Sequence, residues 1–171
     1  MILNNCCSKD LLNLIYKTSL QSDNWNFRFP EGSEDKHAKL TVYSSLEHNN
    51  IKDKFLLGLC ISLLLEIYNK GGSNYFTNNF PSYIGVSIKD MSREDNIHTD
   101  IDVKYKKNIK ILGLLNHEWK EEWGGGFIHG DKLYKLQTGD FVVFDSSIPH
   151  KAEDIKINKK RITLDFSLEG I

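Results

Sequence analysis

The second half of the sequence is a series of short apolar runs separated by turn-forming residues. Seven such runs follow Gly72, at positions 83–88, 97–102, 109–115, 127–129, 132–136, 141–144 and 162–166. Turn-forming residues lie between them, at 106–108, 124–126, 129–131, 138–140 and 158–160. Many short, regularly spaced strands are typical of a β-sandwich or jelly roll. We therefore expect a mainly β fold whose core spans about residues 80–168.

The first half of the sequence has the pattern of helices. Ser8 has the chemistry of an N-cap, and apolar residues at helical spacing continue to about position 22. The longest predicted helix spans about 50–69 and ends at a pair of glycines. A short strand at 25–29 lies between the two helices. Because two helices ahead of a strand-rich block would cover one sheet from outside, we predict a single domain, residues 1–171, with a helical support at about 8–70.

Composition and charge exclude several classes of partner. The chain has 22 Lys or Arg and 23 Asp or Glu, so its net charge is close to neutral. We therefore expect no broad basic field for nucleic acid or a membrane surface. The most apolar stretch, 55–65, is too short to span a bilayer, and the start lacks the pattern of a signal peptide. Three cysteines, two of them adjacent, make a poor disulfide framework, which predicts a cytoplasmic location.

His98 and Asp100 have the spacing of a metal-binding pair on an extended strand. Alternate side chains of a strand point to the same face, so both can reach one ion while Thr99 points away. His150, which follows Pro149, offers a second imidazole. Two imidazoles and one carboxylate occupy one face of an octahedral ion and leave other positions open, which suits non-haem Fe(II). Taken singly, His98 and Asp100 are better explained as a surface pair and His150 as a loop histidine, and only the ordered set favours a metal site.

Other features follow the His-x-Asp pair in a defined order. They are a strand that ends at Leu115, a three-glycine segment at 123–127, a strand at 139–145, the Pro-His pair and Arg161. This order resembles the Fe(II)/2-oxoglutarate-dependent dioxygenases, and within them the prolyl-hydroxylase-like branch, over about residues 80–168. The resemblance implies a double-stranded β-helix, a distorted jelly roll of the cupin type, with N-terminal supporting helices.

The resemblance also assigns roles to individual residues. His98, Asp100 and His150 match the three iron ligands of the family. Arg161 matches the basic residue that binds the distal carboxylate of 2-oxoglutarate, and Thr163 on the same strand face adds a hydroxyl to that carboxylate. A guanidinium suits this role because it stays charged and forms two parallel hydrogen bonds with a carboxylate.

The sequence departs from the family pattern on one strand. Prolyl-hydroxylase-like enzymes often place a 2-oxoglutarate-binding tyrosine on the strand that corresponds to 111–115, where this chain has Gly113 and Leu114. We predict that Tyr83, on the preceding strand, takes over this role.

Several residues near these motifs have two interpretations from the sequence alone. Trp119 and Trp123 fit either a substrate pocket or a packed core. Asp145 fits either the support of a ligand histidine or the cap of a turn. His117 and His129 are expected to be structural.

The implied chemistry is hydroxylation of an unactivated C–H bond, coupled to decarboxylation of 2-oxoglutarate to succinate. It requires Fe(II), 2-oxoglutarate and O2, with ascorbate as an accessory reductant, and the Asp100 carboxylate favours hydroxylation because halogenating relatives lack it. A prolyl or other protein side chain is the first predicted substrate, and a free amino acid, sugar or nucleotide is the second. A jelly-roll module that binds a metal or small ligand without turnover is the alternative from another class. The sequence does not determine the oligomeric state.

Overall fold

The computed structural model describes residues 1–28, 37–45, 51, 53–76, 79–100 and 108–170. This part of the chain contains ten strands and three α-helices. In chain order they are β1 (Ile2–Leu3), α1 (Lys9–Gln21), β2 (Asn26–Arg28), β3 (His37–Ser44), α2 (Lys54–Ile67), α3 (Ser73–Phe76), β4 (Asn79–Lys89), β5 (Asn108–Leu114), β6 (Phe127–His129), β7 (Lys132–Tyr134), β8 (Phe141–Asp145), β9 (His150–Ala152) and β10 (Arg161–Gly170).

The strands form two antiparallel sheets. The larger sheet has the order β1-β8-β5-β10-β4-β3-β2, and the smaller has the order β7-β6-β9. Strand β10 lies at the centre of the larger sheet, between β4 and β5. A single antiparallel bridge between His98 and His150 extends the smaller sheet beyond β9. The prediction of a mainly β fold is confirmed.

The helices cover the outer face of the larger sheet. The side chains of Leu12 and Ile15 from α1, and of Leu56 and Leu63 from α2, are buried in one core with apolar residues of that sheet such as Leu164. This core explains why the N-terminal helices fold where they do, because each buries one apolar side against the strands.

Both long helices begin at a side-chain cap. Ser8 accepts a hydrogen bond from the Leu11 amide at 3.4 Å, and Asp53 accepts one from the Leu56 amide at 2.9 Å. The second helix therefore begins four residues later than the predicted start at about position 50. A five-residue π-helical turn, Tyr68–Gly72, follows it.

Some predicted strands differ from the observed ones. The predicted strand at 97–102 is reduced to the single bridge at His98, and its positions 101 and 102 lie outside the described residues. Position 29 of the predicted strand at 25–29 also lies outside them. Strand β3 was not predicted at all. Its Ala38, Leu40 and Val42 are buried in alternation, which is the period-two pattern of a half-buried strand.

Successive side chains of β10 point alternately to the two faces of the larger sheet. Ile162 and Leu164 point to the helix side and belong to its apolar core. Arg161, Thr163 and Asp165 therefore point to the opposite side, into the space between the two sheets. A second apolar cluster, which includes the buried residues Leu114, Val142 and Phe127, fills the rest of this space. Among the described helices, none combines the length and apolar character needed to cross a membrane.

Candidate metal centre and co-substrate cavity

The structure brings His98, Asp100 and His150 together. One ligand atom from each of the three lies within 4.8 Å of the others. The Nε2 atom of His98 is 4.0 Å from Oδ1 of Asp100, and the Nε2 atom of His150 is 3.6 Å from Oδ2 of the same carboxylate. As many as 52 positions separate these residues in the sequence, and the fold brings them together.

Backbone hydrogen bonds hold the three residues in place. The amide of His98 donates to the carbonyl of His150 at 3.0 Å, and the amide of His150 donates back at 2.8 Å. The amide of Asp100 donates to the carbonyl of Ser146, and the Ser146 hydroxyl donates to the carbonyl of Asp100, both at 2.9 Å. These hydrogen bonds fix the segment that contains His98 and Asp100 at the edge of the smaller sheet. They therefore orient the side-chain atoms that could bind a metal.

The two imidazoles have matching second hydrogen bonds. The Nδ1 atom of His98 is 2.9 Å from the carbonyl oxygen of Asn96, and the Nδ1 atom of His150 is 2.9 Å from that of Ile148. A carbonyl oxygen only accepts hydrogen bonds, so Nδ1 is the donor in each ring, and a neutral ring then has its lone pair on Nε2. This tautomer is the one that binds a metal through Nε2.

Asp100 also contacts a lysine that the sequence interpretation missed. Lys110 on β5 donates to Oδ2 of Asp100 at 2.6 Å, and its ammonium lies 3.6 Å from the carboxylate of Asp165. The adjacent side chain of His150 and the charge of Lys110 hold the pKa of Asp100 well below its usual range, against the opposing effect of burial. Burial of Lys110 acts to lower its pKa. The carboxylates of Asp165 and Asp100 have a larger combined effect, so the pKa of Lys110 is raised. Asp100 is therefore an ionised carboxylate.

Arg161 has buried donors that nothing in the described part of the chain accepts. The residue is 3% exposed, and its Nε and Nη2 atoms have no hydrogen-bond partner there. Burial lowers the pKa of Arg161 to about 10, although Asp95 and Glu153 act in the opposite direction, so the guanidinium is charged at neutral pH. Unpaired buried donors are costly, and a guanidinium binds a carboxylate through two parallel hydrogen bonds. The free donors therefore fit a carboxylate ligand.

The glycine segment makes room for this arginine. Gly125 has φ +71°, and a Cβ atom at this position would lie 2.9 Å from Cδ of Arg161 and 3.1 Å from Cζ2 of Trp119. The indole of Trp119 donates to the carbonyl of Gly124 at 2.8 Å and is buried. Trp119 is thus a core residue that supports the glycine turn, which decides between its two interpretations.

A second buried lysine lies opposite Arg161. Lys89 on β4 pairs with Arg161 in the strand register and is 5% exposed. Its ammonium lies 3.1 Å from Oδ2 of Asp95, and Nε of Arg93 lies 2.7 Å from Oδ1 of the same carboxylate. This cluster was also missed from the sequence, because it depends on which strands are neighbours.

The metal-ligand set and Arg161 line one cavity of about 270 Å³ between the sheets. Thr163 lines the same cavity, as the sequence interpretation expected of its strand face. Other polar or charged residues of its wall are Lys39, Ser87, Lys89, Arg93, Asp95, Lys110, Lys151 and Asp165.

Tyr83 is the predicted site residue that the structure does not bring to Arg161. It pairs with Ser167 in the register, and its hydroxyl lies against Gly85, which pairs with Asp165. Asp165 lies four positions beyond Arg161 along β10, which is roughly 13 Å of strand. Tyr83 is also absent from the cavity wall, so its predicted role at the distal carboxylate has no geometric support.

The remaining polar residues have structural roles. Asp145 accepts hydrogen bonds from the amide and the hydroxyl of Ser147, at 2.9 and 2.6 Å, so it caps a turn. His129 contacts the carbonyl of Asp145 through Nε2 at 2.9 Å, and His117 contacts the side chain of Asn13 at 2.6 Å. Neither histidine belongs to the cluster of possible metal ligands among the described residues.

Two sheets, helices on one outer face and a polar cavity between the sheets define a double-stranded β-helix. No protein-family model matches the sequence, and no curated protein matches it. Solved structures do match over nearly the whole chain. A prolyl-4-hydroxylase from Pseudomonas putida is 12% identical with a TM-score of 0.72, and the match covers 100% of this chain and 92% of that one.

Two further solved structures show the range of proteins with this fold. The non-haem α-ketoglutarate-dependent epimerase SnoN, from nogalamycin biosynthesis, is 9% identical with a TM-score of 0.72, covering 99% of this chain and 78% of that one. A prolyl hydroxylase from Trichoplax adhaerens, in complex with a peptide fragment of hypoxia inducible factor, is 15% identical with a TM-score of 0.62, covering 99% and 83%. The predicted fold of the 2-oxoglutarate oxygenases is thereby confirmed.

Proposed function

We propose that this chain is an Fe(II)- and 2-oxoglutarate-dependent dioxygenase that hydroxylates an unactivated C–H bond. The observation that carries the proposal is the content of one cavity. Its wall has two imidazoles and a carboxylate converging at one place, and a buried guanidinium with unused donors at another. A module that only binds a metal does not need the guanidinium. A dicarboxylic co-substrate that also binds the metal needs both the metal-binding cluster and the guanidinium.

The metal-binding residues fit Fe(II) by their chemistry. Two neutral imidazole nitrogens and one ionised carboxylate form half of an octahedral ligand set, and a further half remains open for other ligands. When bound, Fe(II) with 2-oxoglutarate and O2 would supply the oxidising power for hydroxylation, with succinate and carbon dioxide as co-products. Ascorbate would serve as a reductant for the metal.

The protein residues bind and orient the co-substrate. In this proposal Arg161 and Thr163 hold the distal carboxylate of 2-oxoglutarate at the buried end of the cavity. His98, Asp100 and His150 would hold the metal nearer the surface, since the side chains of His98 and Asp100 are 51% and 40% exposed. The keto acid would therefore lie along the cavity with its reactive end toward the mouth, where a substrate can approach.

Lys110 controls how Asp100 presents its carboxylate. Its 2.6 Å bond to Oδ2 leaves Oδ1 as the oxygen without a short contact to a cation. Asp100 would then hold a metal through its other oxygen, which would leave more of the coordination sphere open to other ligands. The apolar rings of Phe127 and Phe144 pack against His150, and they exclude water from that side of the site.

The substrate we propose first is a prolyl or other protein side chain. The support is the likeness to prolyl hydroxylases, of which the Trichoplax structure holds a peptide. A free small molecule is the second candidate, and the likeness to the epimerase from nogalamycin biosynthesis favours it. We further propose a single intracellular domain, supported by helices that pack on the site-bearing sheet and by three unpaired cysteines.

The test is succinate formation from 2-oxoglutarate with Fe(II) and ascorbate, with and without a panel of proline-containing peptides and metabolites. We expect turnover by the natural chain and a loss of more than 100-fold in His150→Ala. His129→Ala is the matched control, because His129 pairs with His150 across the strands but serves no metal, and it should keep its activity. Turnover no higher than that of His150→Ala, across the whole panel, would favour a binding module instead.

A further inference from the structure

The outer side of helix α2 is apolar and exposed. Its exposed positions include Phe55 at 62%, Leu65 at 59% and Ile61 at 38% of their surfaces, and Tyr68, which directly follows the helix, is 43% exposed. Helix α2 has two charged residues. Lys54 lies at its first position, and Glu66 accepts a hydrogen bond from the Ser8 amide at 2.7 Å. A helix that faces water normally carries charged residues on its outer side, so this face has the composition of a covered surface.

The size of this apolar face matches the apolar part of a protein interface. The four exposed side chains present on the order of 400 Å² of apolar surface, since a whole aromatic side chain has about 150–250 Å². A standard interface covers about 800 Å² on each partner, of which about 60% is apolar. Depletion of charged residues at the centre is also typical of an interface.

We propose that a second copy of this chain covers the face, with the two α2 helices packed antiparallel across a two-fold axis. Gly58 and Ser62 lie at the middle of the exposed side. No atom of the described chain lies within 4 Å of where a Cβ of Gly58 would be, so another helix can approach closely. The Ser62 hydroxyl already donates to the carbonyl of Gly58 at 2.9 Å, so its burial leaves no unpaired donor.

The two large residues are spaced for such self-association. Phe55 and Leu65 are ten residues apart, roughly 15 Å along a helix, and they lie on either side of the Gly58–Ser62 centre. A two-fold axis near this centre places Phe55 against Leu65 of the partner subunit, and the reverse contact forms by symmetry. The net charge of −1 gives little repulsion between copies.

This arrangement leaves the metal centre accessible. The helices pack on one face of the larger sheet, and the metal ligands and Arg161 lie on the other side of that sheet. The proposed dimer is therefore independent of the proposed enzymatic activity, and either proposal can fail without the other.

The experiment measures the molar mass of the whole chain by light scattering after size exclusion, and by sedimentation across micromolar concentrations. We expect a dimer for the natural chain. Phe55→Glu and Leu65→Lys should each halve the apparent mass, because each places charges in an apolar contact. Both residues are exposed in the single chain, so the fold should persist, which circular dichroism checks. Leu133→Glu, at an exposed leucine on β7 far from α2, should remain a dimer.

The double variant Phe55→Glu with Leu65→Lys tests the direction of the helices. In the antiparallel arrangement each glutamate faces a lysine of the partner, so the double variant should regain the dimeric mass. If it stays monomeric while both single variants are monomeric, the antiparallel pairing is wrong. A natural chain that is monomeric at every concentration would overturn the proposal, as would a monomer that binds phosphatidylcholine vesicles through this face.

Discussion

Asp100 depends on a neighbour that no local motif contains. Its carboxylate lies between the imidazole of His150 and the ammonium of Lys110, and Lys110 in turn contacts Asp165. Partners that hydrogen-bond a metal ligand fix its orientation and raise its affinity for the ion. Lys110 lies on the strand where prolyl-hydroxylase-like enzymes often have a tyrosine, and it lines the candidate cavity.

Replacing Lys110 with Met should therefore weaken metal binding. Loss of a hydrogen-bonding partner of a ligand typically lowers metal affinity by about 10–100-fold, and we expect a decrease in this range for Mn(II) measured by calorimetry. Lys132→Met is a suitable control, because Lys132 lies on β7 against the ring of Tyr134 and away from the ligand set. Unchanged affinity in Lys110→Met would show that Asp100 is held by the backbone alone.

At the scale of the element, the glycine turn before β6 positions Arg161. Gly125 combines a left-handed backbone with close approach of the arginine and of Trp119. Gly130, in the turn that joins β6 to β7, also has a left-handed backbone, with φ +56°. A Cβ atom at Gly130 would have a single neighbour in the described chain, the side chain of Ile148 at 3.8 Å. Comparing the two glycines therefore separates backbone strain from crowding at the site.

We expect Gly130→Ala to cost about 1–2 kcal/mol of unfolding free energy, the usual cost of a left-handed conformation for a residue with a Cβ. Gly125→Ala should cost more, since it adds a clash with Arg161, and it should also raise the Kd for 2-oxoglutarate. Urea unfolding and calorimetry measure the two quantities. Equal 2-oxoglutarate affinity in both variants would mean that Gly125 does not position the arginine.

At the scale of the whole molecule, binding in the cavity should be visible as stability. A ligand at a hundred times its Kd stabilises the folded chain by about 2.7 kcal/mol. In a protein of this size that corresponds to a rise in Tm of roughly 5–10 °C. We expect such a rise when 2-oxoglutarate is added to the protein with Mn(II).

Arg161→Gln should abolish the part of this rise that 2-oxoglutarate causes and keep the part that Mn(II) causes. The folded chain lowers the pKa of Arg161 to about 10, below the unfolded value of 12.5, so at neutral pH the charge opposes folding. Removing the charge should therefore leave the ligand-free Tm unchanged or higher. A persisting shift with 2-oxoglutarate in Arg161→Gln would place the distal carboxylate elsewhere.

Two kinds of pattern could be predicted from the sequence because they are local. The apolar runs and turn residues predict strands, and the spacing of His98 and Asp100 places them on one side of an extended segment. The alternation of Ala38, Leu40 and Val42 is the same kind of local signal for β3, although that strand was not predicted. The order of the motifs along the chain supplied the fold through the family resemblance.

Contacts between strands could not be predicted in the same way. Lys110 and Lys89 lie near the site only because β5 and β4 flank β10. Tyr83 does not reach Arg161 because the register pairs it with the residue of β10 six positions beyond Arg161. Trp119 had two interpretations, and the hydrogen bond from its indole to Gly124 decides between them. Each of these depends on which strands are neighbours and on their register.

By itself, the sequence indicated most of the strands, the two long helices and the three residues of the candidate metal site, because side-chain chemistry and periodicity are local properties. Only the tertiary structure decided which charges surround those residues and which face of α2 stays exposed. The physical reason is that burial and ion pairing depend on distance in space, and a shift of one residue in strand register reverses the face that each side chain occupies.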